Sequence, residues 1–382
     1  MKADSIKRKA LVVYGTRPEA IKCAPVVRAL QARPDRWTCV TCVTGQHREM
    51  LDQINGFFGI RPDYDLELMR PDQDLTSLTT LSLEKLGPVM RAEKPDIVLV
   101  QGDTTTALTG ALAAFYARIP CGHIEAGLRT GEKYSPYPEE INRSLIGRLA
   151  EYHFAPTRRA MEALHQENIR KNVFLTYNTV VDALVIANRI LQERGAAMPT
   201  VLAPVNWSRR VILVTGHRRE SFGPPFEGMC RALLRIMDQF PDAEIVYPVH
   251  LNPKVQEPVR RLLGAHPRIH LLPPLDYPDL VWLMSRSCFV LTDSGGLQEE
   301  APTFKKPVLV MREVTERLEA IESGVARLVG TSEEGIVAAA GQLLSDPAAY
   351  RSMIKDTNPF GDGRAAERIL NALETGSADL TT

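Results

Sequence analysis

The sequence predicts an α/β protein built from two doubly wound, Rossmann-like domains with parallel sheets. Short apolar runs that suit buried strands alternate with longer stretches of helical period, which is the pattern of βαβ units. This alternation restarts in the second half of the chain, and 382 residues are enough for roughly two domains. We expect the two domains to face each other across a cleft, with ligands at the carboxyl ends of the strands.

The predicted strands form two sets, separated by a segment rich in Ala and Pro. The first set spans residues 10–14, 38–44, 96–101, 121–125 and 153–155. The second set spans residues 211–215, 244–248, 269–272, 288–292, 307–311 and 326–328. We place the boundary before Asn178, which gives an N-terminal domain over 1–177 and a C-terminal domain over 178–361. A final helix near 364–373 is expected to return to the first domain, so residues 362–382 are assigned to that domain.

The composition argues against several functional classes. The formal net charge is +0 at pH 7 and the sequence pI is ≈ 7.1, so no overall basic field favours nucleic acid or an anionic membrane. No apolar run reaches the ~20 residues that a membrane-spanning helix needs. The first ten residues are polar and basic and have no apolar core of a secretory signal. These features predict a cytoplasmic protein.

The six cysteines predict reduced structural thiols without a metal. Cys39 and Cys42 form a C-x-x-C pattern, but they lie in a predicted strand, where this spacing sends the two side chains to opposite faces. No second pair is present to complete a zinc site.

Two motifs of the first half follow strands that are apolar throughout. In GTRPEAIK (15–22), Thr16 and Glu19 have the spacing of a capping box, which leaves Arg17 and Lys22 available for an anion near the helix start. In QGDTTT (101–106), Asp103 is either the cap of the next helix or a chemically active carboxylate.

Two further motifs of the first half add carboxylates. HIEAGLRTG (123–131) places Glu125 at the end of an apolar strand, where a carboxylate is costly unless it is paired or functional. YPEEINR (137–143) opens a helix, so Glu139 and Glu140 lie in its first turn, and Arg143 follows one turn later. The charge of a helix start accounts for one of these two glutamates.

The second half contributes a histidine, cations and a glycine-rich helix start. TGHRRESFG (215–223) follows a buried strand and places His217 at the strand end. DSGGLQEEAP (293–302) follows another strand, and Ser294, Gly295 and Gly296 allow backbone N–H groups to approach a phosphate. Glu300 suits a ribose diol, and Arg317 adds a cation. Together the motifs predict a nucleotide-diphosphate ligand and acid–base chemistry; neither a G-x-G-x-x-G pattern nor a metal-ligand pattern occurs.

These motifs resemble those of the non-hydrolysing UDP-N-acetylglucosamine 2-epimerases of bacteria. The resemblance runs from about Leu11 to Asn371 and includes TGQHREM (44–50), YPVHLNP (247–253) and NPFGDG (358–363). It implies the glycosyltransferase-B fold and reversible conversion of UDP-N-acetylglucosamine to UDP-N-acetylmannosamine, with elimination of UDP to a 2-acetamidoglucal and re-addition of UDP. It also implies no cofactor or metal, a homodimer and a role in surface polysaccharide synthesis.

The resemblance also implies roles for individual residues. The catalytic positions are Asp103, Glu125, Glu139 and His217. The substrate-binding positions are Arg17, Lys22, Arg143, Leu280, Ser294, Gly295, Gly296, Glu300 and Arg317. Gln46, His47 and His250 match a second, regulatory UDP-N-acetylglucosamine site. Which carboxylate removes the C2 proton stays open.

The chain departs from the family pattern near the expected uracil. Leu280 stands where a relative has Phe, and Leu275 stands where a relative has an amide, so an aromatic stacking contribution of about 0.5–1.5 kcal/mol is missing. Tyr177 replaces a glycine. The alternatives that remain are a glycosyltransferase, a hydrolysing epimerase that releases N-acetylmannosamine, a 2-epimerase of a diacetamido uronate and a nucleotide-sugar sensor without catalysis.

Overall fold

The computed structural model describes residues 7–45, 48–70, 73–195 and 197–380. Its contacts divide these residues into two units. One unit comprises the residues up to Ile186 and those from Phe360 onward, and the other is Ala187–Pro359. The boundary that we place before Asn178 lies earlier in the chain, and a single helix, Thr179–Glu193, continues across the division.

Within the described residues, the first unit contains a parallel sheet of seven strands in the order β3-β2-β1-β4-β5-β6-β7. The strands are β1 (Arg8–Tyr14), β2 (Trp37–Val43), β3 (Tyr64–Asp65), β4 (Ile97–Gln101), β5 (Cys121–Ile124), β6 (Tyr152–Ala155) and β7 (Val173–Leu175). The helices are α1 (Arg17–Gln31), α2 (Arg48–Phe58), α3 (Leu75–Glu93), α4 (Thr105–Tyr116), α5 (Glu139–Leu149), α6 (Arg158–Gln166) and α7 (Thr179–Glu193).

The second unit, in the part of the chain that the structure describes, has a parallel sheet of six strands in the order β10-β9-β8-β11-β12-β13. The strands are β8 (Arg210–Thr215), β9 (Ala243–Pro248), β10 (Ile269–Leu272), β11 (Phe289–Thr292), β12 (Val308–Val310) and β13 (Ala326–Leu328). The helices are α8 (Pro224–Gln239), α9 (Pro253–Leu263), α10 (Tyr277–Arg286), α11 (Gly295–Glu300), α12 (Leu318–Glu322), α13 (Glu333–Ser345) and α14 (Pro347–Ser352). Short 3-10 helices span Thr200–Leu202, Arg219–Ser221 and Ala301–Phe304. The last helix of the chain, α15 (Ala365–Thr375), belongs to the first unit.

Strand order fixes where polar side chains can gather in each unit. The order reverses beside the first strand of each sheet, so β1 lies next to β4, and β8 lies next to β11. At such a reversal the following helices leave on opposite faces and open a crevice at the carboxyl ends of the strands. The motifs that begin at Gly15 and Gly102 follow the first pair, and those that begin at Gly216 and Asp293 follow the second pair.

Two edge strands, β3 and β7, were not predicted from the sequence. β3 has only two residues and β7 has three, so neither offers the four to eight residues over which a strand pattern can be read. All three residues of β7 are only partly buried, which removes the apolar run that marks the central strands. The other strands match the predicted positions to within a residue or two at their ends. Cys39 and Cys42 lie on β2 as expected, and all six cysteines are free thiols.

Helix α15 is held to the first unit by polar contacts at both ends. Asp182 of α7 accepts hydrogen bonds from the backbone N–H groups of Ala365 and Ala366, at 3.0 and 2.8 Å. These bonds satisfy two of the donors that a helix start leaves open. Near the other end, Glu374 accepts from the Arg33 guanidinium at 3.0 Å and from the Trp37 indole at 2.8 Å. The helix therefore contributes to the stability of the first unit although it lies at the end of the chain.

No helix of the described residues combines the length and the apolar character needed to cross a bilayer.

Replacement of Glu374 by Ala should lower the free energy of unfolding by about 1–3 kcal/mol, because the buried Trp37 indole and the partly buried Arg33 guanidinium lose their acceptor. Urea titration followed by circular dichroism would measure the change. Glu334 is an exposed carboxylate with one loose contact, 3.6 Å from Arg235, and its replacement by Ala should change the free energy of unfolding by less than about 0.5 kcal/mol. Equal effects of the two substitutions would show that Glu374 does not anchor α15.

Two histidines are buried side by side in the first sheet. His123 on β5 is in register with His153 on β6, and both side chains are almost fully buried. Burial lowers the pKa of His123 to about 3, although its Nε2 lies 2.7 Å from the carbonyl oxygen of Gly102. Burial likewise lowers the pKa of His153 to about 4. Both rings are therefore neutral at neutral pH, and the folded state resists their protonation.

The buried histidines should make the protein less stable in mild acid. In the unfolded chain a histidine has a pKa near 6.5. Between about pH 6.5 and pH 4, His153 is therefore protonated in the unfolded state and neutral in the folded state. Stability is then lost as the pH falls through this window. Relative to the wild type, His153→Gln should gain about 2 kcal/mol between pH 7 and pH 5, measured by urea unfolding at each pH.

The same pair of proteins provides its own control at higher pH. Between pH 7 and pH 8 histidine is largely neutral in both states, so the difference in unfolding free energy should stay constant. A difference that is also constant from pH 7 to pH 5 would contradict the assignment of acid sensitivity to His153.

Candidate functional site

The first unit brings five of the predicted side chains together beyond the ends of β1, β4 and β5. We call this group the carboxylate site: Lys22, Asp103, Glu125, Glu139 and Arg143. Lys22 pairs with Glu125 at 2.6 Å, and Arg143 pairs with Asp103 at 2.9 Å. Asp103 is also close enough to feel the charges of Lys22, Glu125 and Glu139. Side chains that are far apart in the sequence thus form one polar cluster.

Glu125 is buried and is held by donors from three elements. Its Oε1 accepts from Lys22 of α1 at 2.6 Å and from the amide of Asn178, just before α7, at 3.0 Å. Its Oε2 accepts a short hydrogen bond from the amide of Gln101 at the end of β4. The backbone of Glu125 is left-handed, with φ of 67°, which is unusual for a residue other than glycine. The carboxylate is paired, as its burial requires.

Asp103 is a paired side chain and does not cap a helix. The N-cap of α4 is Thr104, whose hydroxyl accepts from the Ala107 N–H at 3.1 Å. The alternative reading of Asp103 as a cap is therefore wrong, because the neighbouring threonine fills that position. Burial raises the pKa of Asp103 to about 6, although the Arg143 guanidinium opposes this increase. This value lies close to neutral pH, where a carboxyl group can both give and take a proton.

Helix α5 supplies one side of the carboxylate site. Glu139 is its first residue and is partly buried. Glu140 is buried and accepts from the backbone N–H groups of Thr130 and Gly131, both at 3.1 Å, so it stabilises the preceding loop. Asn142 donates from its amide to the backbone oxygen of Asp103 at 2.8 Å. The two adjacent glutamates therefore have different surroundings, and Glu139 is the one grouped with Asp103.

The capping box at the start of α1 is confirmed. Thr16 accepts from the Glu19 N–H at 3.4 Å, and Glu19 accepts in return from the Thr16 N–H at 2.7 Å. Glu19 also accepts from the Thr104 hydroxyl at 2.6 Å, which ties the loop after β1 to the loop after β4. Arg17 lies beside this turn and is partly buried. The turn fixes the start of α1, from which Lys22 reaches Glu125.

The second unit places His217 against a buried carboxylate. His217 Nδ1 lies 3.2 Å from Oδ1 of Asp293, the first residue after β11. Asp293 Oδ2 accepts from the backbone N–H groups of His217 and Arg218, both at 2.7 Å. Burial raises the pKa of Asp293, but these hydrogen bonds outweigh it and hold the pKa below its usual value. The loop after β8 is thereby fixed to the end of β11.

Cationic groups surround the glycine-rich start of α11. A Cβ atom added to Gly295 would lie 3.4 Å from the guanidinium carbon of Arg317 and 3.6 Å from a guanidinium nitrogen of Arg218. Arg317 also donates to Glu299 at 2.7 Å. Ser294 is the N-cap residue of α11, without a side-chain cap bond, and Gly296 is exposed. This arrangement of guanidinium groups and backbone N–H groups suits an anion.

The predicted nucleotide positions lie around α10 and the end of α11. Glu300 is the last residue of α11 and is partly buried, as is Leu280 of α10. Leu275 is buried just before α10. Tyr277 at the start of α10 is buried close enough to Glu300 for its pKa to be raised well above the usual value, first by burial and then by that charge.

Of the three predicted regulatory positions, the structure describes one. Gln46 and His47 lie outside the described residues. His250 is exposed and stacks on His217, with ring centroids 5.4 Å apart and planes 16° apart. The structure thus joins a predicted regulatory residue directly to a predicted catalytic residue.

Comparison with known proteins shows which family the chain belongs to. The family model described as UDP-N-acetylglucosamine 2-epimerase matches residues 28–374. The chain belongs to the UDP-N-acetylglucosamine 2-epimerase family. It is 53% identical over 376 residues to the UDP-N-acetylglucosamine 2-epimerase of Yersinia pestis, covering 97% of this chain and 100% of the relative.

Solved structures of the epimerase family share the fold. The UDP-GlcNAc 2-epimerase from Neisseria meningitidis bound to UDP-GlcNAc is 44% identical, with a TM-score of 0.89, covering 96% of this chain and 99% of that chain. The S. aureus MnaA–UDP co-structure is 43% identical, with a TM-score of 0.86 and 96% coverage of both chains. The predicted class of two parallel-sheet α/β units of glycosyltransferase-B type is therefore confirmed.

Sequence reasoning missed the residues that hold the predicted side chains. Gln101 and Asn178 bind Glu125, and Asp293 binds His217. One signal was available: Gln101 and Asp293 are polar residues that end or directly follow apolar strands, so their burial needs a partner. No such signal marks Asn178. Among the described residues, no group of three or more His, Cys, Asp or Glu side chains has an arrangement that could hold a metal ion.

Removal of the Arg143 charge should raise the pKa of Asp103 further. A cation within about 4 Å lowers the pKa of a carboxyl group by roughly 1–3 units, so Arg143→Gln should shift the titration of Asp103 upward by about that amount. Carboxyl carbon NMR against pH would measure the shift. Arg129 is bound to Glu167 at 2.6 Å, so Arg129→Gln serves as the matched control and should leave Asp103 unchanged. An unshifted Asp103 in Arg143→Gln would contradict the pairing.

Proposed function

We propose that the protein is a non-hydrolysing UDP-N-acetylglucosamine 2-epimerase that interconverts UDP-N-acetylglucosamine and UDP-N-acetylmannosamine. The observation that carries this proposal is the carboxylate site, in which Asp103 has a pKa near neutrality beside the paired Glu125. Epimerisation at a carbon that bears a weakly acidic proton needs such a group. Family membership over residues 28–374 supports the same reaction.

The second unit is proposed to bind the UDP portion. The diphosphate would lie at Ser294, Gly295 and Gly296, where backbone N–H groups and the guanidinium groups of Arg218 and Arg317 are close together. Glu300 would accept from the ribose hydroxyls. The bound UDP-GlcNAc and UDP named for the Neisseria and S. aureus structures support this class of ligand.

The base near Leu280 would be held by a different contact from the one that the family pattern suggests. An aliphatic side chain offers apolar contact but no aromatic stacking, so the uracil would lose about 0.5–1.5 kcal/mol of binding at this position. Because the diphosphate and ribose contacts are charged, they would dominate the binding of UDP. Leu275 is buried, and its side chain has no group that could form a hydrogen bond with the base.

The reaction is proposed to pass through 2-acetamidoglucal. A carboxylate removes the proton from C2. The electron pair of the broken C2–H bond forms the C1–C2 double bond, and the C1–O bond breaks to release UDP. Return of the proton to the other face of C2 and re-addition of UDP at C1 give the epimer. Stabilisation of the leaving diphosphate by cations lowers the barrier to C–O cleavage. No redox change occurs, so the reaction needs no redox cofactor.

Among the carboxylates, Asp103 is the one best suited to carry a proton. Glu125 accepts hydrogen bonds from the ammonium of Lys22 and from two amide groups, and donors to a carboxylate disfavour its protonation. Asp103 has one guanidinium partner and a pKa of about 6. We therefore propose Asp103 as proton carrier, with Glu125 and Glu139 orienting the sugar and His217 as a second acid–base group.

The remaining parts of the proposal rest on family resemblance. They are a homodimer, a cytoplasmic location, a product used in surface polysaccharide synthesis, and a regulatory site for a second substrate molecule at Gln46, His47 and His250. Two alternative reactions differ in their products. A hydrolysing epimerase would release free N-acetylmannosamine with UDP, and a uronate epimerase would require a diacetamido substrate.

A proton NMR time course with UDP-N-acetylglucosamine in D2O would test the reaction. We expect UDP-N-acetylmannosamine to form, with deuterium at C2 both in this product and in the remaining UDP-N-acetylglucosamine, because the removed proton exchanges with solvent before a proton returns to C2. Release of free N-acetylmannosamine and UDP would replace the proposal by the hydrolysing reaction. Substrate that stays unchanged and undeuterated would overturn epimerisation of this sugar.

Single substitutions would then test the residues. Asp103→Asn, Glu125→Gln, Glu139→Gln and His217→Asn should each lower kcat by about 10²-fold or more, the usual range for loss of acid–base catalysis. Glu162 is an exposed carboxylate on α6, and Glu162→Gln is the matched control with wild-type turnover. A site variant that is folded by circular dichroism and keeps near-normal kcat would be removed from the catalytic set.

A further inference from the structure

The side chain of Asp293 has an environment that determines the state of His217. It is completely buried although it immediately follows β11 and faces a loop. Its two carboxylate oxygens make different contacts. Oδ2 accepts the backbone N–H groups of His217 and Arg218, both at 2.7 Å, whereas Oδ1 lies 3.2 Å from Nδ1 of the His217 ring.

The second oxygen depends on the imidazole. Among the described residues, no well-aligned hydrogen bond reaches Asp293 Oδ1, and Nδ1 of His217 lies 3.2 Å from it. A buried carboxylate oxygen without a donor is costly. The folded state is therefore more stable when Nδ1 of His217 is protonated and its N–H group faces this oxygen. A proton on Nε2 alone would place the Nδ1 lone pair against a negative oxygen. The geometry therefore selects one tautomer of the neutral ring.

We propose that Asp293 is a positioning residue that keeps the proton of neutral His217 on Nδ1 and leaves Nε2 as the nitrogen that exchanges a proton during catalysis. The catalytic clause of this proposal rests on the proposed function. The tautomer itself depends only on the contacts within the second unit. Neutral His217 can then accept a proton only at Nε2, and the protonated ring returns it from the same atom.

The surroundings of the ring support a fixed orientation. The His250 ring lies nearly parallel to the His217 ring, 5.4 Å between centroids, and thereby limits movement on one side. Arg218 Nε donates to the backbone oxygen of Asp293 at 3.3 Å, and Tyr247 donates to the backbone oxygen of Gly216 at 3.0 Å. These bonds fix the chain on both sides of His217.

Asp293 is suited to this task because it stays ionised. Burial raises its pKa, but the interaction with the His217 ring and the hydrogen bonds from two backbone N–H groups hold the pKa below the usual value for aspartate. A permanently ionised, immobile acceptor orients an imidazole without exchanging protons itself, and the same logic operates where a buried aspartate orients a catalytic histidine in hydrolases.

Asp293→Asn tests the proposal because it preserves the shape of the side chain. The amide oxygen can still accept from the two backbone N–H groups, but its NH2 group then faces Nδ1 and needs a lone pair there. The proton of neutral His217 should move to Nε2, and kcat should fall by about 10²–10³-fold with little change in KM. Asp242 is exposed and paired with Arg210, so Asp242→Asn is the matched control and should behave as the wild type.

Nitrogen NMR of protein labelled with ¹⁵N-histidine reads the tautomer directly. The chain has eight histidines, and the spectrum of His217→Gln identifies the His217 signals. At a pH where the ring is neutral, we expect a protonated Nδ1 and an unprotonated Nε2 in the wild type, and the reverse in Asp293→Asn. This measurement needs no substrate, and the wild-type spectrum alone decides the tautomer if the variant does not fold.

Each combination of results has one meaning. An unprotonated Nδ1 in the neutral wild-type ring would overturn the proposal, and so would an Asp293→Asn variant whose tautomer changes while kcat stays normal. A tautomer change together with a loss of kcat supports it. If the wild-type tautomer is as expected but the protein does not epimerise UDP-N-acetylglucosamine, the orientation of His217 stands and the proposed function fails.

Discussion

Burial of carboxylates at the carboxyl ends of parallel strands is the constraint on which both polar sites depend. Each sheet reverses its strand order beside its first strand. Asp293 follows one of the two strands at this point of the second sheet, and Glu125 follows β5, the neighbour of β4, in the first sheet. A buried carboxylate without partners would cost several kcal/mol and would take up a proton instead. The surrounding residues must therefore supply positive charge or hydrogen-bond donors at fixed positions.

The two units meet this constraint in different ways, and the difference fits their proposed roles. Glu125 receives its donors from side chains, one of them the ammonium of Lys22, so its environment can change when a substrate competes for Lys22. Asp293 receives two backbone N–H groups, which cannot move away without disruption of the loop. Asp103 is paired with the Arg143 guanidinium, but burial nevertheless raises its pKa to about 6.

The sequence was sufficient to predict the central strands and the candidate residues but not the contacts between them. Apolar runs such as residues 97–100 determine strand positions through burial alone, whereas β3 and β7 are too short for any pattern. The position of Glu125 at a strand end predicted a partner without identifying Asn178, which lies 53 residues away in the chain. The sequence leaves two interpretations of Asp103 because aspartate is a preferred cap, and the structure decides between them because Thr104, the next residue, is the N-cap.

Backbone strain shows how the chain directs its donors toward Glu125. Tyr177 has a left-handed backbone, with φ of 66°, a conformation that costs a residue with a Cβ about 1 kcal/mol or more. Its ring lies under the Arg368 guanidinium, 5.0 Å away, and a Cβ on Gly361 would come within 3.0 Å of the Tyr177 Cβ. The packing of α15 and the turn before it thus hold Tyr177 in place. The next residue, Asn178, donates to Glu125, which is itself left-handed. Glu125 and Tyr177, the residue before Asn178, both have unfavourable backbone conformations, so the tertiary structure, and not local preference, sets the position of the carboxylate.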